Sequence, residues 1–205
     1  MRTALGGLVL LAGLAAWAAP PTSLATAAGP PSAWLTDRGT IRFRADTPMV
    51  AIDATSTRAL FIYDGQGAFV GSVALSSFEF SNGLLKSHFN ESYVESQKPG
   101  APDAQGQPTF PNQLAVVSGR LIAPLDVSRD GTTEVELKGR LTCHGIPREQ
   151  SFRGTVTVTG GQMKLSVRFN LAPDQYGIPL PTVGDAPMFR SVEVTVEGTL
   201  GRQSG

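Results

Sequence analysis

The segment from Gln162 to Leu171 carries the clearest structural signal in the chain, and it runs Gln-Met-Lys-Leu-Ser-Val-Arg-Phe-Asn-Leu. Apolar and polar side chains alternate, with Met163, Leu165, Val167 and Phe169 on one face and Lys, Ser, Arg and Asn on the other. Successive side chains of a β-strand point to opposite faces, so this period of two predicts a strand with one buried face.

The same alternation recurs on both sides of this segment. The strand candidates, in chain order, are 40–45, 49–55, 59–63, 69–80, 113–122, 132–143, 151–159, 162–171 and 191–200. Asp130-Gly131 and Gly160-Gly161 lie between neighbouring candidates and predict tight hairpin turns. Antiparallel strands with one buried face can close into a barrel or stack as a sandwich. The chain is therefore predicted to be all-β, and local pattern does not choose between these two forms.

Composition excludes several functional classes. The 205 residues include 17 basic and 17 acidic side chains, so the chain has no basic surface suited to nucleic acid or an anionic membrane. The 23 glycines and 15 prolines suit short strands joined by turns. Cys143 is the only cysteine, which rules out an intramolecular disulfide and predicts a small buried apolar residue.

The N-terminal segment has the features of a signal peptide. Arg2 precedes an uncharged apolar run over 4–19, and Ala25-Thr26-Ala27 supplies small residues for cleavage after Ala27. Cleavage after Ala19 and an uncleaved anchor are the alternatives. We expect an exported protein, periplasmic or secreted, with no stable membrane insertion after cleavage. The expected organisation is a signal peptide over 1–27, a linker and N-terminal lead-in over 28–38, in which Trp34 opens the fold, and a barrel domain over 39–201.

The region from Ser76 to Ser96 carries the most specific motif: Ser-Ser-Phe-Glu-Phe-Ser-Asn-Gly-Leu-Leu-Lys-Ser-His-Phe-Asn-Glu-Ser-Tyr-Val-Glu-Ser. It begins as a strand, turns at Asn82-Gly83 and continues as a short helical segment near residues 84–95. Its order resembles the YceI family of exported lipid-binding barrels, in which Ser-Phe-x-Phe precedes Leu-Met-x-x-His-Phe-Asn-Glu-x-Tyr-x-Glu-Ser. Leu85-Lys86 stands where Leu-Met is common. The matching residues are His88, Phe89, Asn90, Glu91, Tyr93, Glu95 and Ser96.

Two later motifs extend the resemblance. Residues 141–146, Leu-Thr-Cys-His-Gly-Ile, are similar to the family's Leu-x-x-His-Gly-Val/Ile, with Cys143 at a position that is usually apolar. Residues 176–181, Tyr-Gly-Ile-Pro-Leu-Pro, are similar to its Phe/Tyr-Gly-Ile-x-x-Pro. The chain departs from the family at 98–107, where a loop spanning 98–111 contains an apparent insertion. The family-motif residues that we single out are His88, Asn90, Glu91 and His144.

The resemblance implies a lipocalin-like antiparallel barrel of about eight strands that holds an isoprenoid or other lipid-like amphiphile, with no catalytic residues and no cofactor. An apolar tail would bind through the apolar area that it removes from water. The inward strand positions predicted to line the cavity are Phe43, Ile52, Phe78, Val116, Leu137, Leu165, Val167 and Val194. Three residues near the helical segment could close one end: Leu84, Leu85 and Phe89.

Three alternatives compete with a carrier. The first is an envelope structural or interaction module with a solid core and a protein partner, and pairing with a second copy of the chain is also open. The second is a metal site in which His88, Glu91 and Glu95 share a helix face and His144 joins them. The third is an enzyme, which finds no support: no Gly-x-Ser-x-Gly elbow is present, and Cys143 and His144 are adjacent in a strand, so they would point to opposite faces.

Overall fold

The computed structural model describes residues 33–47 and 51–202. Within these ranges the strands are β1 (Trp34–Ala45), β2 (Ile52–Tyr63), β3 (Ala68–Ala74), β4 (Glu79–Phe80), β5 (Leu114–Leu121), β6 (Gly131–Cys143), β7 (Ile146–Thr159), β8 (Gln162–Leu171), β9 (Thr182–Val183), β10 (Ala186–Pro187) and β11 (Val192–Arg202). The helical elements are α1 (Gly83–His88), a π-helical turn (Phe89–Tyr93) and two 3-10 turns (Leu75–Ser77 and Pro173–Tyr176). No helix among the described residues is long and apolar enough to span a membrane.

Eight strands close into an antiparallel barrel. Going round the barrel, the order is β1, β11, β8, β7, β6, β5, β3 and β2, and β2 pairs again with β1. Phe43 of β1 lies opposite Val194 of β11 on one side and opposite Ala54 of β2 on the other. Closure gives the long strands a partner on both sides, which removes the sheet edges that a sandwich would leave. The predicted all-β barrel of about eight strands is confirmed.

Two predicted strand boundaries are wrong for local reasons. The described parts of candidates 49–55 and 59–63 belong to one strand, β2. The register against β1 shifts between Gly39 and Ile41, and the resulting bulge interrupts the alternation that would mark a continuous strand. Candidate 69–80 is instead broken by the 3-10 turn after β3. There the Ser77 hydroxyl donates a hydrogen bond to the Ala74 carbonyl over 2.6 Å, and this side-chain bond stabilises a turn in place of a strand.

Of the two hairpin turns predicted from the sequence, one is observed and the other is not. Gly160 and Gly161 have φ of 54° and 77° and form the β7–β8 hairpin turn. By contrast, Asp130-Gly131 is not a hairpin turn, because residues 122–130 form a longer loop before β6 begins at Gly131. β1 begins at Trp34, so residues 34–38 of the predicted linker and lead-in belong to the barrel. The predicted signal peptide, 1–27, lies outside the described residues.

The two ends of the barrel differ. The end that we call the helical end carries α1, the π-helical turn and the strap, which we define as residues 172–191 between β8 and β11. The opposite end, the closed end, is packed with buried side chains. These include Trp34, Tyr63, Met163 and Leu200. The predicted short helical segment near residues 84–95 and the loop over 98–111 are both observed.

Phe61 of β2 lies in a cradle formed by glycines of three strands. Its side chain is 2% exposed, and Gly39 of β1, Gly71 of β3 and Gly198 of β11 all face its ring. A Cβ atom at Gly198 would lie 2.7 Å from Cδ2 of Phe61, and one at Gly71 would lie 3.1 Å from Cδ1. The ring is therefore accommodated because these three positions have no side chain.

We predict that Gly198→Ala lowers the free energy of unfolding by about 1–3 kcal/mol, since the added methyl group would overlap the Phe61 ring. Gly201→Ala on the same strand is the matched control, because a Cβ atom there meets no atom within 4 Å. Urea denaturation of both variants measures the difference. Equal stability of the two variants would contradict the cradle.

Candidate functional site: an apolar cavity

The barrel encloses a cavity of about 420 Å³ that extends from its middle to the helical end. This volume lies within the usual range for small-molecule sites. No Asp, Glu, Lys or Arg belongs to the described residues of its wall. The side chains in that wall that carry a polar atom are Thr47, Ser72, His88, Tyr93 and Cys143. Such a wall matches a ligand that lacks hydrogen-bonding groups along most of its length.

The structure places most of the predicted lining residues in this wall. The nine that contribute to it are Phe43, Ile52, Phe78, Leu85, Phe89, Leu137, Leu165, Val167 and Val194. Leu84 and Val116 do not, so these two predictions are wrong. Leu84 is 63% exposed, because neighbouring Leu85 takes the inward face of this six-residue helix. Val116 lies on the outer face of β5. Both faces of this strand carry apolar residues, so the sequence pattern does not show which of them point inward.

The strap contributes cavity residues that were not predicted from the sequence. Ile178, Leu180, Met188 and Phe189 all line the cavity, although the strap has no regular period that marks inward positions. The signal available for the first two was the Tyr-Gly-Ile-Pro-Leu-Pro motif at 176–181. Tyr93, at the end of the π-helical turn, also lines the cavity. The strap and the helical segment thus complete the wall at the helical end.

Four phenylalanine rings join the helical segment to the barrel. Phe89 stacks on Phe43 of β1 with ring centroids 5.5 Å apart, and it lies 5.1 Å from Phe80 of β4. Phe43 also lies 5.3 Å from Phe78. Aromatic pairs of this kind contribute about 0.5–1.5 kcal/mol each beyond the area that they bury. The cluster therefore holds the helical segment over the cavity.

Asn90, one of the family-motif residues, connects the π-helical turn to the chain that follows it. Its Nδ2 donates to the Lys86 carbonyl over 2.9 Å, and its Oδ1 accepts a hydrogen bond from the Ser96 hydroxyl over 2.7 Å. The Ser96 N–H also donates to the Asn90 carbonyl. Ser96 is 1% exposed, so its hydroxyl depends on this partner. The role of Asn90 here is structural.

His144 lies where the β6–β7 turn, the strap and the helical segment meet. Its Nδ1 is 3.0 Å from the Tyr176 carbonyl oxygen, which can only accept, so Nδ1 carries a proton. Its Nε2 is buried, lies 3.8 Å from Oε2 of Glu95, and has no hydrogen-bond partner among the described residues. The Lys98 ammonium, within 2.9 Å of both carboxylate oxygens, lowers the pKa of Glu95, and His144 adds a smaller effect in the same direction.

The residues of the alternative metal site do not come together. α1 ends at His88 and is followed by a π-helical turn, and Glu95 has a left-handed φ of 46°, so no single helix face carries His88, Glu91 and Glu95. Of these, Glu95 approaches His144, His88 lies in the cavity wall, and Glu91 is exposed. The described part of the chain contains no group of three or more His, Cys, Asp or Glu arranged to hold a metal ion.

We predict that Asn90→Ala lowers the free energy of unfolding by about 1–3 kcal/mol, because it leaves the buried Ser96 hydroxyl without its acceptor. Glu91→Ala is the matched control: it changes the adjacent, exposed family-motif residue and removes no such bond. Thermal and urea denaturation measure both variants. A loss of similar size in the two would show that Asn90 is not the connecting residue.

Cys143 lines the cavity, and burial raises the pKa of its thiol to about 11. Because the thiolate is the reactive form, we predict that a maleimide labels the folded protein at pH 8 about a hundredfold more slowly than the protein unfolded in denaturant. Mass spectrometry over time gives both rates. Equal rates would mean that the thiol is solvent-accessible and that this part of the wall is open.

No protein-family model matches the sequence, and no curated protein matches it either. Solved structures with the same architecture do match. One is a polyisoprenoid-binding domain from Saccharophagus degradans implicated in plant cell wall breakdown, with 11% identity and a TM-score of 0.64; the match covers 83% of this chain and 98% of that one.

Burkholderia cenocepacia BcnA is also similar, with 12% identity, a TM-score of 0.61, and coverage of 80% of this chain and 96% of that one. The Campylobacter jejuni YceI protein has 8% identity and a TM-score of 0.50 over 83% of this chain and 86% of its own. Structural similarity at such low identity shows a shared fold. The fold shared with the polyisoprenoid-binding domain and BcnA is the closed β-barrel that the motifs around His88, His144 and Tyr176 predicted.

Proposed function

We propose that the protein is an exported, non-catalytic carrier that binds the apolar tail of an isoprenoid or similar amphiphile inside the barrel. The observation that carries this proposal is the 420 Å³ cavity, whose wall is apolar over nearly its whole extent. The similarity to a polyisoprenoid-binding domain supports the same ligand class. The N-terminal segment, with its apolar run and Ala-x-Ala sequence, supports export.

The energetics favour a tail over a compact polar ligand. A tail that buries about 300 Å² would gain about 7–8 kcal/mol at 25 cal/mol per Å², which offsets a substantial part of the cost of association. A polar ligand would lose its hydrogen bonds to water and find few partners in this wall. The polar side chains of the wall at the helical end, Thr47, His88 and Tyr93, would lie nearest the head group of an amphiphile whose tail is inside.

A catalytic role has little to support it in this cavity. Nucleophilic catalysis requires an activated side chain, and burial makes the Cys143 thiol less acidic and therefore less reactive. Polar groups in the wall are few. The alternative of a structural module requires an interior filled by side chains, and a cavity of this size argues against that alternative.

Native mass spectrometry followed by denaturing extraction tests the proposal directly. We expect the purified protein either to carry an apolar compound or to gain one when incubated with farnesol. Binding stabilises the folded state, so the melting temperature should rise with farnesol concentration. No bound compound and no thermal shift with any prenyl alcohol would contradict the carrier.

Two neighbouring residues of β5 provide a matched pair of variants. We predict that Val117→Trp, which places an indole in the cavity, weakens farnesol binding at least about tenfold, because the added ring occupies volume that the tail needs. Val116→Trp carries the same change on the outer face and should bind as the wild type does. Equal binding by all three proteins would place the ligand outside the cavity.

A further inference from the structure

A second, smaller space lies beneath the main cavity. It measures about 40 Å³ and is bounded towards the closed end by side chains such as Tyr63, Met163 and Leu200. Five residues contribute to the walls of both spaces. We call this layer the floor, and its members are Phe69, Leu137, Phe152, Leu165 and Val167. The floor therefore lies between the main cavity and the smaller space.

From this arrangement we infer that the floor is a ruler that limits the length of tail the protein accepts, with Phe152 as its principal specificity-determining residue. This inference rests on the proposed function and adds a selectivity to it. A tail that enters from the helical end stops where its leading carbon atoms meet the floor. Any further length then remains at the helical end or outside the barrel, where it gains little.

The cavity volume sets the expected length. An apolar cavity of about 150 Å³ in another protein holds one benzene molecule, a group close in size to one five-carbon isoprene unit. By this measure a space of 420 Å³ accommodates about three units above the floor. Farnesol, with three units, should therefore fill the cavity, and a fourth unit should remain outside it.

Phe152 is the best-placed member of the floor. It projects inward from β7, is 5% exposed, and lies opposite Leu137 of β6, another floor residue. Its ring packs edge to face against Phe169 of the cavity wall, with centroids 5.0 Å apart and planes at 84°. A large ring fixed in this way cannot turn aside without losing the Phe169 contact.

The opposite side of the floor is braced as well. Phe69 of β3 stacks on Phe61, with ring centroids 6.0 Å apart. Phe61 is itself fixed in the glycine cradle and lines the main cavity but not the lower space. Both aromatic members of the floor are thus backed by rings of the barrel interior. The floor behaves as a fixed stop, and shortening one of its side chains should lower that stop.

The test compares geraniol, farnesol, geranylgeraniol and geranylfarnesol, which contain two, three, four and five isoprene units, on the full chain. Competition against an apolar fluorescent dye gives each dissociation constant. For the wild type we expect affinity to rise about tenfold or more from two units to three, and to change by less than about threefold beyond that. A continued steep rise through five units would overturn the ruler, although the carrier itself would stand.

In the variant Phe152→Ala, affinity should continue to rise for at least one more isoprene unit, because the space left by the ring joins the lower space to the main cavity. We expect this variant to bind geranylgeraniol about tenfold more tightly than farnesol. Met163→Ala is the matched control: it enlarges the lower space and leaves the floor in place, so it should keep the wild-type profile. If Phe152→Ala does not fold, Phe152→Leu and Phe69→Leu make smaller changes, and at least one should favour the longer alcohol.

Each result has one meaning for the two proposals. Folded floor variants that retain the wild-type length profile would overturn the ruler and leave the carrier intact. A matching change in Met163→Ala would overturn the role of the floor, since general loosening of the core would then explain it. Failure of every prenyl alcohol to bind the wild type would overturn the carrier, and the ruler with it.

Discussion

Closure of the barrel through β1 is the constraint on which the rest of the structure depends. β1 pairs with β11 on one side and β2 on the other, so the sheet has an inside and an outside rather than two similar faces. Every second residue of eight strands then projects into one shared space. A closed sheet of this size encloses a volume that its own side chains can either fill or leave open. The size of the inward side chains at each level along the barrel axis therefore decides whether the interior is solid or contains a cavity.

Large inward side chains are distributed unevenly along the barrel axis. Towards the closed end, Trp34, Tyr63, Met163 and Leu200 fill the interior almost completely, and glycines are required for Phe61 to fit between three strands. Towards the helical end the inward residues leave a cavity of about 420 Å³. Empty apolar volume costs stability, since its lining loses packing contacts. A chain that packs one end tightly while leaving a cavity towards the other suits a ligand that supplies the missing contacts.

The wall at the helical end comes largely from outside the barrel strands. The π-helical turn is held by the phenylalanine cluster and by the hydrogen bonds of Asn90, and the strap is connected to the β6–β7 turn through His144 and the Tyr176 carbonyl. The motif residues His88, Asn90, Glu95 and His144 thus act mainly in covering the cavity.

The sequence by itself determined the all-β class, the inward faces of β8 and β11 and the short helical segment, because strict alternation and turn glycines are local properties of neighbouring residues. It also indicated the YceI-like fold through motifs at His88, His144 and Tyr176. Only the tertiary structure decided which residues of β5 point inward, because apolar residues on both faces made Val116 and Val117 indistinguishable. It also showed that β2 continues across its bulge. Only the tertiary structure revealed the cavity and its floor, since an empty space depends on how side chains distant in sequence, such as Phe69 and Phe152, meet across a closed barrel.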